Sequence, residues 1–153
     1  MKSFNCSRDC LNNLLLVFKE LRSPYYAHLS NDKSIKETLY EHSELVSAYC
    51  LKLVDKHGLE SVLDSLIEQL ILSLQIKDEL EWGNQLKEIF LAAIAYHDLG
   101  KVNPNFQILK MENNLFCQDK KLTFQSNHSL LGSYVFSNIF FKKVAENQIF
   151  DED

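Results

Sequence analysis

Residues 84–101 read Asn-Gln-Leu-Lys-Glu-Ile-Phe-Leu-Ala-Ala-Ile-Ala-Tyr-His-Asp-Leu-Gly-Lys. Leu86, Ile89, Phe90 and Ala93 recur at steps of three and four, the spacing of one helical face. The pattern predicts a helix over about 84–98, with His97 one turn past Ala93 on the same stripe. Gly100 reads as the stop, and Lys101 as a cation suited to the exposed terminal carbonyls.

The segments on either side are helical too. A helix is expected over about 59–76, with Val62, Leu66, Leu70 and Leu74 inward and its acids outward. Asp64, Glu68, Gln69 and Gln75 interrupt that apolar run, so it reads as a buried helix and not a membrane span. Trp82 and Gly83 are expected to close it against the core. Before it, Ile35, Leu39, Val46, Tyr49 and Leu53 mark another helix, ended by His57-Gly58. A first helix spans about 10–21 and stops before Ser23-Pro24, and the polar run Ser30 to Ser34 follows it. Downstream, Asn103-Pro104 is an N-cap followed by proline at the first helical position. Met111 to Gln125 is the least regular stretch, with a short strand expected at Leu122-Thr123-Phe124. Ser126 caps a last long helix through Val135 and Ile139.

Only 4 Gly and 2 Pro in 153 residues leave few turn makers, which favours long helices. The expected fold is all-α, one domain over residues 1–153. A 46% hydrophobic and 24% charged composition suits a soluble globular chain, not a disordered, fibrous or membrane protein. The net charge of −5 lies in the middle third, since residues 51–100 hold four Lys against nine acids. That is not the basic footprint of a stand-alone duplex binder. Cys6, Cys10, Cys50 and Cys117 form no CxxC pair, and the first residues lack an apolar signal core. A reducing cytoplasm is the expected compartment.

His42, His97 and His128 each fall where the apolar stripe of a different helix predicts a leucine. Burying an imidazole without a partner costs roughly 1–3 kcal/mol, so each must be satisfied. For one alone, a hydrogen-bonded core histidine is the simpler reading. For three beside Asp98, a shared metal is the more economical one, because imidazole and carboxylate are ordinary transition-metal ligands. Neighbours on a regular helix point about 100° apart. At a fraying end with Gly100 beside them, His97 and Asp98 can turn to one ion, and Lys101 can face a substrate phosphate. The competing reading is a plain helix terminus.

His42, the His97-Asp98 doublet and Lys101 together resemble the HD phosphohydrolase superfamily. The series Tyr26-Ala27-His28, Thr38-Leu39-Tyr40-Glu41-His42-Ser43, Ala95 to Lys101, Asn105-Phe106-Gln107 and Asn127 to Gly132 narrows it. It resembles the HD nuclease domain of the CRISPR-associated helicase-nuclease, the type I interference effector, over about residues 26–133. The resemblance implies an HD-domain-like helical bundle. It implies that His42, His97 and Asp98 hold one ion, that Asp98 bridges to a second helped by His128, and that Lys101 contacts phosphate. It further implies an endonuclease of antiviral defence that cuts single-stranded DNA. Its partners would be an ATP-driven helicase domain or subunit and a guide-RNA surveillance complex. His-rich coordination favours manganese, cobalt, nickel or iron, with magnesium the alternative.

The family pattern continues with further histidines and a distal Asp, whereas no histidine follows His128 and only Asp151 and Asp153 remain. No GxxxxGK[ST] occurs. The expectation is a domain lacking the C-terminal part of the family pattern, with weak or absent cleavage by the isolated chain. His28 is expected in a surface or packing role, and His57 as a helix-end cation. Phe106 and Gln107 are candidates to touch a nucleotide, with Phe106 otherwise a core anchor. Two alternatives stand beside the nuclease: an HD phosphohydrolase of small nucleotides, and a non-catalytic helical docking domain.

Overall fold

Scarce glycine and proline yield the helices the periodicity predicts. The structure, a computed structural model, describes residues 4–19, 25–116 and 128–147. Its order is α1 (Ser7–Lys19), β1 (Tyr26–Leu29), β2 (Lys36–Thr38), α2 (Leu39–His57), α3 (Leu59–Ser73) and α4 (Glu79–Ala95). A 3-10 turn (Leu99–Val102), α5 (Pro104–Leu109) and α6 (His128–Asn147) follow. The fold is all-α in class, with a two-stranded ribbon added. Among the described residues no helix is long and apolar enough to cross a membrane. Leu122–Phe124, Cys117, Ser126, Asp151 and Asp153 lie outside those residues.

The chain divides into two compact units, 1–22 with 40–95 and 23–39 with 96–153. In the first, α1 buries Leu11, Leu14, Leu15 and Phe18 at helical spacing. Phe4, Ile67 and Ile71 form a core against which Leu63, Ile76, Trp82 and Leu86 pack. Gly83 makes room for Phe4, since a Cβ there would sit 1.9 Å from the ring. Trp82 packs against this core as expected, but from the first turn of α4, past the end of α3. His57 does end α2, and Gly58 turns the chain with φ 61°. In α2 the fully buried positions are Leu39, Ser43 and Ser47, while Tyr49 and Leu53 are exposed.

The facing of α3 differs most from expectation. Val62, Leu66, Leu70 and Leu74 point outward, and Asp64 points in. The reason is Lys87 on α4, whose side chain is 0% exposed. Its ammonium donates to Asp64 Oδ1 and Glu60 Oε1, each at 2.6 Å, and Glu60 also accepts from Ser7 N at 3.0 Å. Burial presses the Lys87 pKa down, but the bonds to Asp64 and Glu60 outweigh it and hold the pKa above the usual lysine value. Burial raises Glu60, and the bonds from Lys87 and Ser7 bring it below the usual value.

In the second unit β1 and β2 pair antiparallel, Tyr26 with Thr38 and Leu29 with Lys36, with a bulge between Tyr26 and His28. Asp32 closes their connection by accepting from Ser30 and Ser34, which lowers its pKa to about 2. Asn103 caps α5 as its sequence predicts, accepting from Asn105 N at 2.9 Å ahead of Pro104. Gln107, 0% exposed, ties the unit together. Its amide donates to Tyr26 O at 2.9 Å and Lys101 O at 2.7 Å, and accepts from Tyr26 N at 2.9 Å and Asn113 Nδ2 at 3.0 Å. That inventory uses the whole side chain, so Gln107 is a buried brace and not a nucleotide contact.

Candidate metal centre

The end of α4 creates the site. The helix stops at Ala95, three residues before the expected end, and residues 96–98 form turns. Leu99 N bonds Tyr96 O at 2.9 Å and Lys101 N bonds Asp98 O at 2.8 Å, so the chain tightens into the 3-10 turn. Phe90 and Ala93 of the predicted stripe face outward, because α4 buries Gly83, Lys87, Leu91, Ala92 and Ala95 instead. His97 is exposed with them, not aimed at the core. It and Asp98 escape the helical angle that would hold neighbours apart, and His97 Nε2 lies 3.4 Å from Asp98 Oδ2.

Asp98 is buried, and its side chain makes no cap to the turn that it precedes. Lys101, also buried, reaches Asp98 Oδ2 at 2.7 Å. The same ammonium donates to Ala27 O at 3.1 Å and lies 3.4 Å from His28 Nε2. His128 opens α6 and brings its Nε2 to 3.9 Å from Asp98 Oδ1. Phe106 backs that imidazole edge-on, with centroids 4.9 Å apart. Phe106 is thus the buried anchor that the sequence reading allowed for.

Two glycines let α6 come this close. A Cβ on Gly100 would fall 1.7 Å from His128 O and 2.6 Å from Gly132 N. Any larger residue at position 100 would push the first turn of α6, and His128 with it, away from Asp98.

The structure therefore brings together His97, Asp98, Lys101 and His128, all within the second unit. His42 stands in the first turns of α2, half-buried, in the first unit. His28 is the residue the sequence reading passed over. It sits on β1 beside Lys101, and offers a nitrogen within 4.8 Å of an Asp98 oxygen. The signal for it was its place in the Tyr26-Ala27-His28 triplet, since no periodicity marks a strand of four residues.

The donor set suits a divalent transition metal. Ligand atoms about 2.0–2.2 Å from a common ion, at right angles or wider, lie roughly 3–4.4 Å apart. The 3.4 Å and 3.9 Å separations of His97 and His128 nitrogens from Asp98 oxygens fall in that span. Each of these two histidines is thus close enough to Asp98 to share an ion with it, and His28 also offers a nitrogen within 4.8 Å of an Asp98 oxygen. Elsewhere, Cys10 and Cys50 are poor ligands, because burial raises both thiol pKa values. Tyr25 packs on Phe116, and Tyr26 lies under the Lys36 ammonium.

Residues 28–150 match the family described as "Cas3, HD domain". No curated protein and no solved structure gives a significant match.

Proposed function

The chain belongs to the Cas3 HD domain family of CRISPR HD-type nucleases, and from that membership we propose that it is a metal-dependent phosphodiesterase cutting single-stranded DNA in type I interference. The observation that carries this reading is the approach of His97, His128 and Lys101 to one buried carboxylate, Asp98. A divalent ion supplies Lewis acidity at such a centre, acidifying water near neutral pH and polarising the phosphoryl oxygen.

The chain's own residues prepare for that chemistry. Asp98 presents a buried carboxylate whose Oδ2 lies 2.7 Å from the Lys101 ammonium. Lys101 fixes the angle of that carboxylate, and Phe106 fixes the plane of the His128 ring. By the family resemblance His42 joins His97 and Asp98 as a ligand, and Lys101 turns to the substrate phosphate. Manganese, cobalt, nickel or iron suits this ligand set. A helicase domain or subunit and a guide-RNA surveillance complex are the partners, in the cytoplasm.

Calorimetric titration with manganese, with a 5′-labelled single strand and nucleoside mono- and triphosphates as substrates, tests the reading. Manganese binding is expected in the parent and at least about tenfold weaker in His97→Ala, Asp98→Ala and His42→Ala. Binding in the parent no stronger than in Asp98→Ala would remove the metal centre. Turnover of the small nucleotides but not the strand would favour a phosphohydrolase.

A further inference from the structure

Helix α3 carries two apolar stripes one residue apart. Leu63, Ile67 and Ile71 pack inward. Leu59, Val62, Leu66 and Leu70, with Leu74 just past the last turn, stand between 39% and 62% exposed. The polar residues interleaved with this outer stripe are Ser61, Ser65, Gln69 and Ser73. All three acids of α3 turn the other way: Asp64 is buried, Glu60 is held by Lys87, and Glu68 is half-buried. An outer face about 22 Å long therefore bears no formal charge, on a chain whose net charge is −5. Surface helices ordinarily face water with their charged side. A contiguous apolar strip on the order of a few hundred Å² marks an interaction surface.

We propose that this face docks a second copy of the chain, α3 against α3, antiparallel about a two-fold axis at Leu66. Charge selects the occupant. A basic or acidic partner finds no counter-charge along the stripe, whereas a second copy brings an equally neutral face and opposes no like charges. Spacing selects the register. An axis at Leu66 sets that residue against itself and Val62 against Leu70 of the other copy, because both lie four residues from the axis. Leu59 then meets Ser73, whose small side chain admits the 8–10 Å axial separation of packed helices. Self-complementarity of this kind is what an isologous two-fold contact requires. A stable interface of standard size buries about 800 Å² per partner. The α3 stripe is smaller than that, so the dimer is expected to be weak and concentration-dependent.

Sedimentation velocity across the micromolar range tests this directly. The parent is expected to shift from monomer to dimer as concentration rises. Leu66→Glu, an exposed position that leaves the core intact, is expected to weaken association at least about a hundredfold by opposing two carboxylates at the axis. Circular dichroism on the same sample confirms the fold. In an oxidising buffer, Leu66→Cys is expected to cross-link far faster than Leu72→Cys, an exposed position off the stripe, or the parent. A parent that stays monomeric throughout overturns the proposal. So does a dimer indifferent to Leu66→Glu, or equal cross-linking at positions 66 and 72.

Discussion

Lys101 has three protons and three acceptors: Asp98 Oδ2, Ala27 O and His28 Nε2. Its side chain is almost fully buried, so the ammonium helps hold the site together before any substrate arrives. Removing it leaves Asp98 buried without its nearest counter-charge and Ala27 O without its donor. Lys101→Met is expected to lose about 3–5 kcal/mol of stability, measured by urea unfolding. Manganese should then raise the melting temperature of Lys101→Met by more than it raises that of the parent, because the ion no longer shares Asp98 with an ammonium. An equal shift in both proteins would mean that Asp98 is not a ligand.

At the scale of elements, the α3–α4 contact rests on Lys87 as much as on leucines. Lys87→Met strands Asp64 among apolar neighbours and is expected to cost about 3–5 kcal/mol, whereas pairing it with Asp64→Leu should recover most of the loss. Thermal unfolding of the two variants decides this. The pH dependence has a definite sign. Glu60 sits below its ordinary value of 4.5 in the folded protein, so the unfolded chain binds more protons around that value. Its contribution is complete above pH 4.5 and disappears as pH falls through the depressed folded value. Lys87 is raised above 10.5, so its contribution holds below that pH and fades above it. Comparing parent and Glu60→Gln from pH 7 downward should show a stability gap that closes on acidification. A gap that widens would contradict the assignment. The same network explains why the facing of α3 was not legible: Val62/Leu66/Leu70 and Leu63/Ile67/Ile71 are equally good stripes. Only a lysine on another helix decides between them.

Across the whole molecule, local signals reported best. Few glycines and prolines announced helices, Asn103-Pro104 announced α5, and His57-Gly58 announced the end of α2. His97 and His128 were singled out because periodicity predicts leucines there, and Asp98 and Lys101 because they adjoin His97 at the helix end; the structure sets the four side by side, with His97 exposed. The β ribbon and His28 were not legible, since strands of four and three residues carry no period of their own. They are fixed by Gln107 from far along the chain. Charge is also a whole-chain property, and it bears on DNA. With a net charge of −5 and the Lys101 ammonium engaged internally, the isolated chain should bind single strands weakly. Fluorescence anisotropy against salt is expected to give a log–log slope of about −0.7 to −1.4, one or two phosphates. A slope several times steeper would contradict this expectation.

The Gln107 brace also sets a timetable during synthesis. Its partner Tyr26 lies 81 residues earlier. At about 5–20 residues per second, a ribosome needs roughly 4–16 s between making the two. For that interval Ala27 and His28 exist as nascent chain with neither Gln107 nor Lys101 to hold them. The candidate centre is thus assembled late, and a synonymous change that slows or speeds translation between these codons would alter how long its first strand waits.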